Sequence, residues 1–204
     1  NEYSKQLYQQ FVALATEVTK KPKPTVLVVT ASGRDPYASV DFYVDLFKQV
    51  GAEPIWFPVN SAYQAAQNQA DPVAACADFL NILRKEQGTY QRGRIYPDLI
   101  LKQKEFCTAG HKSAVAQLKR ADAVFFNGGD QSLLLKALKN KDGTDTPELA
   151  QLRQMYERGE IIIGGTSAGT AVMAGGNYQG SSSVMISGGT SIDAILNGAK
   201  PLTP

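Results

Sequence analysis

The chain has 204 residues, of which 43% are hydrophobic and 20% are charged, which is ordinary for one globular domain with a sizeable core. The formal net charge of +2 argues against a nucleic-acid-binding protein and against one that binds an anionic membrane surface, and no apolar stretch is long enough to span a membrane. A single histidine, His111, excludes a multi-histidine metal site, and we expect neither a metal nor another cofactor.

Apolar runs and amphipathic segments alternate along the chain. Short β-branched or aromatic runs predict buried strands at residues 25–30, 54–59, 123–126 and 161–163. Helical periodicity predicts a helix at 3–20 in the N-terminal segment 1–20, and further helices at 36–50, 74–86, 112–119, 132–139 and 147–157. The rest of residues 61–110 is predicted as an insertion that leaves the sheet, and residues 175–204 are rich in Gly and Ser, with one apolar patch at 184–186.

This alternation predicts a single α/β domain over residues 1–204, with three layers and a mostly parallel sheet. Ligands of such sheets bind outside the carboxyl ends of the strands. The loops at residues 30–35, 127–131 and 165–169 leave those ends. We therefore expect the three loops to converge on one site.

The sequence Gly-Thr-Ser-Ala-Gly at 165–169 follows the apolar run at 161–163 and precedes a predicted buried helix. A strand, a tight turn with serine at its tip and a helix form the nucleophile elbow of serine hydrolases. We therefore predict Ser167 as the nucleophile, with the amide of Ala168 at the helix N-terminus placed to stabilise an oxyanion. The alternative is that Gly-x-Ser-x-Gly occurs by chance in a glycine-rich turn.

The sequence Asn-Gly-Gly-Asp-Gln at 127–131 directly follows another predicted strand. Glycines let backbone N–H groups come close to a substrate carbonyl, so an amide of Gly128 or Gly129 would complete the oxyanion hole. Asp130 and Gln131 would then bind a polar substrate. The alternative is a glycine-rich helix entry in which Asp130 caps the following helix.

Together the two motifs resemble the cyanophycinase branch of peptidase family S51, a family that also contains aspartyl dipeptidases. The resemblance is close over residues 112–176 and looser over 25–60. It implies a flavodoxin-like fold related to the class I glutamine amidotransferases, and it places Ser167 on the family nucleophile and Gln131 on a substrate-contacting glutamine. It also implies hydrolysis of cyanophycin, a poly-aspartate backbone carrying arginine on each side chain, to β-Asp-Arg dipeptides.

The chain departs from the family in three places. The insertion at 61–110 is longer than expected, Thr170 stands where the branch usually has alanine, and no histidine follows Ser167, although the family base is a histidine C-terminal to the serine. His111 is expected at the sheet edge opposite the site, as a surface or capping histidine. We therefore expect the base from polypeptide beyond Pro204, in a longer chain or a second chain, so that the domain would be incomplete at its C-terminus.

The two cysteines, Cys76 and Cys107, lack metal-ligand spacing and suit either one disulfide in an exported protein or two buried thiols in a cytoplasmic one. A first residue other than methionine slightly favours a secreted or periplasmic location, with a cytoplasmic one as the alternative. The expected partners are a peptide or polymer rich in Asp and Arg and a second copy of the chain in a homodimer, with no nucleic acid.

Three functions remain open on the sequence. The first is a serine exopeptidase acting on cyanophycin, and the second is an aspartyl dipeptidase or a lipase-like α/β-hydrolase. The third is a catalytically inactive binding domain that keeps the pocket and lacks the base. Arg34 and Asp35, on the loop after the first strand, are candidates for a pocket that binds aspartate and arginine, although solvated loop charges are commoner.

Overall fold

The computed structural model describes residues 2–88, 92–173, 176–178, 181–183 and 191–197. In this part of the chain, four parallel strands form the main sheet, in the spatial order β2-β1-β3-β4. The strands are β1 (Thr25–Val29), β2 (Glu53–Trp56), β3 (Ala123–Phe126) and β4 (Ile162–Gly165). The predicted α/β class with a parallel sheet is confirmed.

Helices cover both faces of the sheet. In chain order they are α1 (Glu2–Thr19), α2 (Val40–Gln49), α3 (Ser61–Gln67), α4 (Pro72–Ala77), α5 (Phe79–Gln87), α6 (Arg92–Ile95), α7 (Pro97–Leu118), α8 (Gln131–Leu138), α9 (Pro147–Glu157) and α10 (Ala168–Ala171). One buried cluster joins α1 and α2 to the sheet, and a larger one joins the sheet to α3, α4, α5, α7, α8 and α9. The molecule therefore has the three predicted layers.

Successive side chains of a strand point to opposite faces, so each central strand serves both clusters. Val26 and Val28 of β1 lie in the α1–α2 cluster, whereas Leu27 and Val29 lie in the larger one. On the α1–α2 side, the Phe125 ring of β3 contacts Phe47 of α2 edge-on, with 5.1 Å between the ring centroids. The continuous apolar runs that predicted these strands are thus explained by burial on both faces.

Helix α2 begins later than predicted. The prediction covered 36–50, but α2 starts at Val40, because Oγ1 of Thr30 donates a hydrogen bond to the Pro36 carbonyl at 2.6 Å and folds the intervening residues into a turn. That turn forms the loop that leaves β1 at its carboxyl end.

The insertion at 61–110 is more regular than the sequence predicted. The predicted helix at 74–86 is two helices, α4 and α5, separated at Asp78. A further helix, α7, runs back to the sheet and is kinked at Gly110, where φ is 70°. A disulfide joins Cys76 of α4 to Cys107 of α7, and both cysteines are fully buried.

The described parts of the last segment form a two-stranded antiparallel hairpin, β5 (Gly176–Tyr178) and β6 (Ser181–Ser183), and a helix, α11 (Ser191–Asn197). The apolar patch predicted at 184–186 lies outside the described residues. Among the described residues, no helix combines the length and apolar character that a membrane crossing requires.

Candidate active site

Ser167 lies at the tip of the turn between β4 and α10, with φ 50° and ψ −117°. It is one of two non-glycine residues with positive φ in the described part of the chain, a conformation that costs about 1–3 kcal/mol and persists only where the surroundings enforce it. The side chain is exposed and does not cap α10. The turn therefore presents the hydroxyl to solvent.

Two glycines allow the close packing that holds this turn. A Cβ atom on Gly165 would lie 2.7 Å from the carbonyl carbon of Gly169, and a Cβ atom on Gly169 would lie 2.8 Å from the carbonyl oxygen of Asn127. Both distances are shorter than real side chains tolerate. The Gly-x-Ser-x-Gly spacing is thus required by contact between β4, α10 and the loop after β3.

The loop after β3 reaches the serine directly. A Cβ atom on Gly128 would lie 3.1 Å from Cβ of Ser167, so the Gly128 backbone lies against the serine side chain. The same loop is tied to the loop after β1, because Ser32 donates its N–H to Oδ1 of Asn127 at 3.1 Å and its carbonyl accepts from the Asp130 N–H at 2.7 Å. The three predicted loops converge.

Two backbone amides are candidates for an oxyanion site. Ala168 is the first residue of α10, so its N–H has no acceptor inside the helix. Gly128 lies beside Ser167, and Gly129 follows it with φ 146° and its Cα packed on the Ser32 carbonyl, where a Cβ atom would collide. The chain thus brings together Ser167, the start of α10 and the glycine pair, as the two motifs predicted.

Asp130 caps helix α8, which is the structural alternative considered for it. Its Oδ1 accepts hydrogen bonds from the Ser132 N–H at 2.9 Å and from the Ser132 hydroxyl at 2.6 Å. The bond from the Ser132 side chain lowers the pKa of the Asp130 carboxyl, so the group is ionised at neutral pH. Gln131, the first residue of α8, is half-buried and lines an open depression together with Ser32, Arg34, Gly129 and Asp130.

Asp35, the other charged candidate on the loop after β1, has structural partners. Its Oδ2 pairs with Nη1 of Arg92 at 3.0 Å, and its Oδ1 accepts from the Tyr37 N–H at 3.2 Å. These contacts tie the loop after β1 to α6.

His111 is not a surface or capping histidine. Its Nδ1 donates to Oε1 of Glu148 at 2.8 Å. Glu148 lies in the first turn of α9. It lines a small apolar cavity together with Val29 and Phe126, the last residues of β1 and β3. The expectation that His111 lies at the opposite sheet edge is therefore wrong. A helix that leads into a parallel strand runs antiparallel to it, so its first turn lies near the carboxyl edge. In the described part of the chain, no hydrogen bond joins His111 to Ser167.

One contact of the serine turn, made by helix α2, was not predicted from the sequence. The Tyr43 hydroxyl of α2 lies 3.2 Å from Oγ1 of Thr166, the residue before Ser167. Tyr43 is buried, and it links the turn to the helix layer on the other side of the sheet. Residues so far apart in the chain leave no local signal of such a contact. Within the described ranges, no group of His, Cys, Asp and Glu side chains is arranged to hold a metal ion.

Comparisons with known proteins identify the family of the chain. The family model described as peptidase family S51 matches residues 74–195. A cyanophycinase from Trichormus variabilis is 36% identical over 151 residues, covering 74% of this chain and 35% of the relative. Cyanophycinases from Synechococcus elongatus and Geminocystis herdmanii are 38% and 40% identical over 91 and 74 residues, covering 40% and 36% of this chain and 27% and 22% of the relatives. The chain therefore matches only about a quarter to a third of the length of these relatives.

Proposed function

Because this chain belongs to peptidase family S51, we propose that it is a serine peptidase in which Ser167 attacks the carbonyl carbon of a peptide or isopeptide bond. The observation that carries the proposal is the strained, exposed Ser167 with the Gly128 backbone against its side chain and the free end of α10 beside it. Strain that is enforced by close packing at a solvent-facing serine has no evident structural purpose.

In the proposed reaction, Oγ of Ser167 bonds to the carbonyl carbon and gives up its proton to a histidine base. The carbonyl oxygen becomes an oxyanion that accepts hydrogen bonds from the Ala168 amide and from the amide of Gly128 or Gly129. The same histidine then donates the proton to the leaving amine, which leaves an acyl-serine that water hydrolyses.

The histidine base is proposed to come from polypeptide outside these 204 residues, in the same chain or another. The sequence contains one histidine, and His111 is held by Glu148 rather than by the serine turn. Serine is a weak nucleophile without an adjacent base. Among the described strands of the main sheet, β4 is an edge strand, and Ser167 follows it within two residues.

The proposed substrate is cyanophycin, cleaved to β-Asp-Arg dipeptides, and it is supported by the names of the relatives and by the resemblance of the motifs around Gln131 and Ser167 to those of the family. An aspartyl dipeptidase of the same family is the second candidate. The two activities are distinguished by incubating the protein with cyanophycin and with a short α-aspartyl dipeptide and comparing the rates at which the two substrates are hydrolysed.

The test of the nucleophile is the Ser167→Ala variant. We expect a fluorophosphonate probe to label the wild type together with the polypeptide that supplies the base, and we expect Ser167→Ala to lose both labelling and hydrolysis, by several orders of magnitude in kcat, with an unchanged fold. Ser113→Ala, which changes an exposed serine of α7, is the matched control. Near-normal turnover by Ser167→Ala would remove Ser167 from the mechanism.

A binding domain without catalysis is the alternative from another class, and it is favoured by the lack of a hydrogen bond between His111 and Ser167 among the described residues. A pocket that binds aspartyl peptides but leaves Ser167 unlabelled, even with accompanying polypeptide present, would select this alternative.

A further inference from the structure

Tyr43 of α2 connects strand β3 to the serine turn. Its ring packs on Phe125 of β3, with 5.5 Å between the ring centroids, and the side chain is buried. Its hydroxyl lies 3.2 Å from Oγ1 of Thr166, the residue before Ser167. Because the ring is held by β3 and α2, the position of the hydroxyl is set by the sheet and its helix layer rather than by the turn.

The Thr166 side chain lies where the serine turn meets the loop after β3. A Cβ atom on Gly128 would lie 3.6 Å from Oγ1 of Thr166 and 3.4 Å from the Thr166 carbonyl oxygen. The same Cβ would lie 3.1 Å from Cβ of Ser167. The Thr166 hydroxyl is therefore in contact with the Tyr43 hydroxyl and close to the Gly128 backbone.

The candidate oxyanion donors lie on the two sides of this contact. The Ala168 amide belongs to the serine turn, and the amides of Gly128 and Gly129 belong to the loop after β3. Donors of an oxyanion hole act when each lies 2.7–3.1 Å from the oxyanion, so the separation of turn and loop decides whether both can act. A turn with positive φ at Ser167 relaxes when a restraint on it is removed.

We propose that Tyr43 is a positioning residue of the peptidase. Through its hydrogen bond with the Thr166 hydroxyl, it holds the serine turn against Gly128 and keeps the two oxyanion donors at their working separation. The proposal rests on the proposed function, since it gives Tyr43 a role in that reaction. Tyr43 is buried and acts through Thr166, so its effect falls on the transition state rather than on substrate binding.

The experiment uses Tyr43→Phe, which removes the hydroxyl and keeps the ring that packs on Phe125. Cyanophycin hydrolysis is measured on the chain together with the polypeptide that supplies the base. We expect kcat to fall about tenfold, because a small displacement of a catalytic group lowers the rate strongly, and we expect KM to stay within about twofold of the wild type. The rate constant for labelling of Ser167 by a fluorophosphonate should fall by a similar factor.

Variants of Thr166 test whether Tyr43 acts through this residue. Thr166→Val removes the hydroxyl and keeps the shape of the side chain, whereas Thr166→Ser keeps the hydroxyl and should retain kcat. Tyr43→Phe should lower kcat in the wild-type background and cause no further loss in the Thr166→Val background. An equal loss in both backgrounds would overturn the proposal.

Tyr63→Phe is the matched control, because it also removes a buried hydroxyl that makes a hydrogen bond. The Tyr63 hydroxyl donates to Glu148 at 3.0 Å in the buried cluster on the other face of the sheet. We expect this variant to lose stability and to keep the kcat of the wild type. If both tyrosine variants lowered kcat equally, or if Tyr43→Phe kept the kcat of the wild type, Tyr43 would have no positioning role.

A measurement that does not need catalysis separates this proposal from the proposed function. Amide hydrogen exchange over residues 165–172 should be faster in Tyr43→Phe and in Thr166→Val, and unchanged in Tyr63→Phe. Faster exchange in an enzyme whose wild type leaves Ser167 unlabelled would support the hold of Tyr43 on the turn and contradict the peptidase. Unchanged exchange and unchanged labelling in Tyr43→Phe, with an active wild type, would overturn the role of Tyr43 and leave the peptidase standing.

Discussion

The Ser167 backbone is held in place by its neighbours rather than by its own preferences. The Thr166 carbonyl accepts from the Gly169 N–H at 2.9 Å, and the Ser167 carbonyl accepts from the Ala171 N–H at 2.9 Å, so hydrogen bonds fix the peptide groups on both sides of the serine. Tyr43 holds Thr166 from the other layer. These contacts offset the cost of the positive φ and hold the exposed serine beside the loop after β3.

This packing predicts the effect of Gly169→Ala. The added Cβ would collide with the Phe126 carbonyl and lie 2.8 Å from the Asn127 carbonyl, so the turn must move. We expect the free energy of unfolding to fall by roughly 1–3 kcal/mol. We also expect Ser167 labelling to fall, because the displaced turn no longer holds the serine in place. Urea unfolding and fluorophosphonate labelling measure the two effects.

The matched control is Gly93→Ala in α6, where the nearest atom to the added Cβ is the flexible Cδ1 of Leu80 at 3.4 Å. That variant should leave labelling unchanged. If Gly169→Ala kept the stability and labelling of the wild type, close packing would not be what holds the serine turn.

Three helices meet at one buried carboxylate, Glu148, which is 1% exposed. It accepts hydrogen bonds from the Tyr63 hydroxyl at 3.0 Å and Gln64 Nε2 at 3.1 Å, both from α3, and from His111 of α7. Burial raises the pKa of Glu148, but the hydrogen bond and charge of His111 outweigh it, and the pKa is lowered. The carboxylate therefore joins α3, α7 and α9 most strongly when ionised.

The sign of the pH dependence follows. Because the pKa of Glu148 is lower in the folded than in the unfolded state, its stabilisation is complete above about pH 4.3, the ordinary value for glutamate, and is lost as the pH falls through the lowered pKa. In His111→Ala, burial dominates and this pKa rises. We expect that variant to be destabilised by about 1–3 kcal/mol and to lose stability at a higher pH than the wild type.

Thermal unfolding followed by circular dichroism between about pH 3 and pH 7 measures this shift. The double variant His111→Ala/Glu148→Gln, which cannot ionise at this position, is the control and should lack the shifted acid step. Identical pH profiles for the wild type and His111→Ala would show that the pair does not stabilise the helix layer.

At the element scale, the helices and strands with strong local sequence signals were predicted correctly. Strand β3 and helix α9 have the predicted bounds, because a buried apolar run and a proline at the first helical position are strong local signals. Residues 97–111 of α7 were not predicted as helix, because Pro97 and Gly110 are typical helix breakers. In the structure Pro97 occupies the first turn, where its missing N–H costs nothing, and Gly110 only kinks the helix.

Part of the candidate site was likewise predictable from local sequence, and part of it depends on the packing of distant elements. Ser167 and the glycine pair were predicted because each follows a recognisable strand, and their convergence follows from the geometry of parallel sheets. The contacts of Tyr43 with Thr166 and of His111 with Glu148 were not predictable, because they join elements 123 and 37 residues apart, and only the packing of α2, α7 and α9 on the sheet creates them.

At the scale of the whole molecule, the described elements supply a candidate nucleophile and candidate oxyanion donors, and no histidine among them is hydrogen-bonded to Ser167. A general base contributes about 10²–10⁴-fold to the rate of such reactions. The sequence holds one histidine, and its Nδ1 is committed to Glu148. We therefore propose that catalysis by Ser167 uses an imidazole from outside these 204 residues.

We predict that residues 1–204 alone bind β-Asp-Arg but hydrolyse cyanophycin about 10²–10⁴-fold more slowly than the same residues together with the polypeptide that supplies the base. The serine, the glycine pair and Gln131 are all present, so binding should survive while kcat falls. The measurement compares Kd and kcat for the two preparations, with Ser167→Ala as the background rate and His111→Gln as the control for the internal histidine. A homogeneous preparation of residues 1–204 with full activity, lost in His111→Gln, would reverse this assignment and make His111 the base.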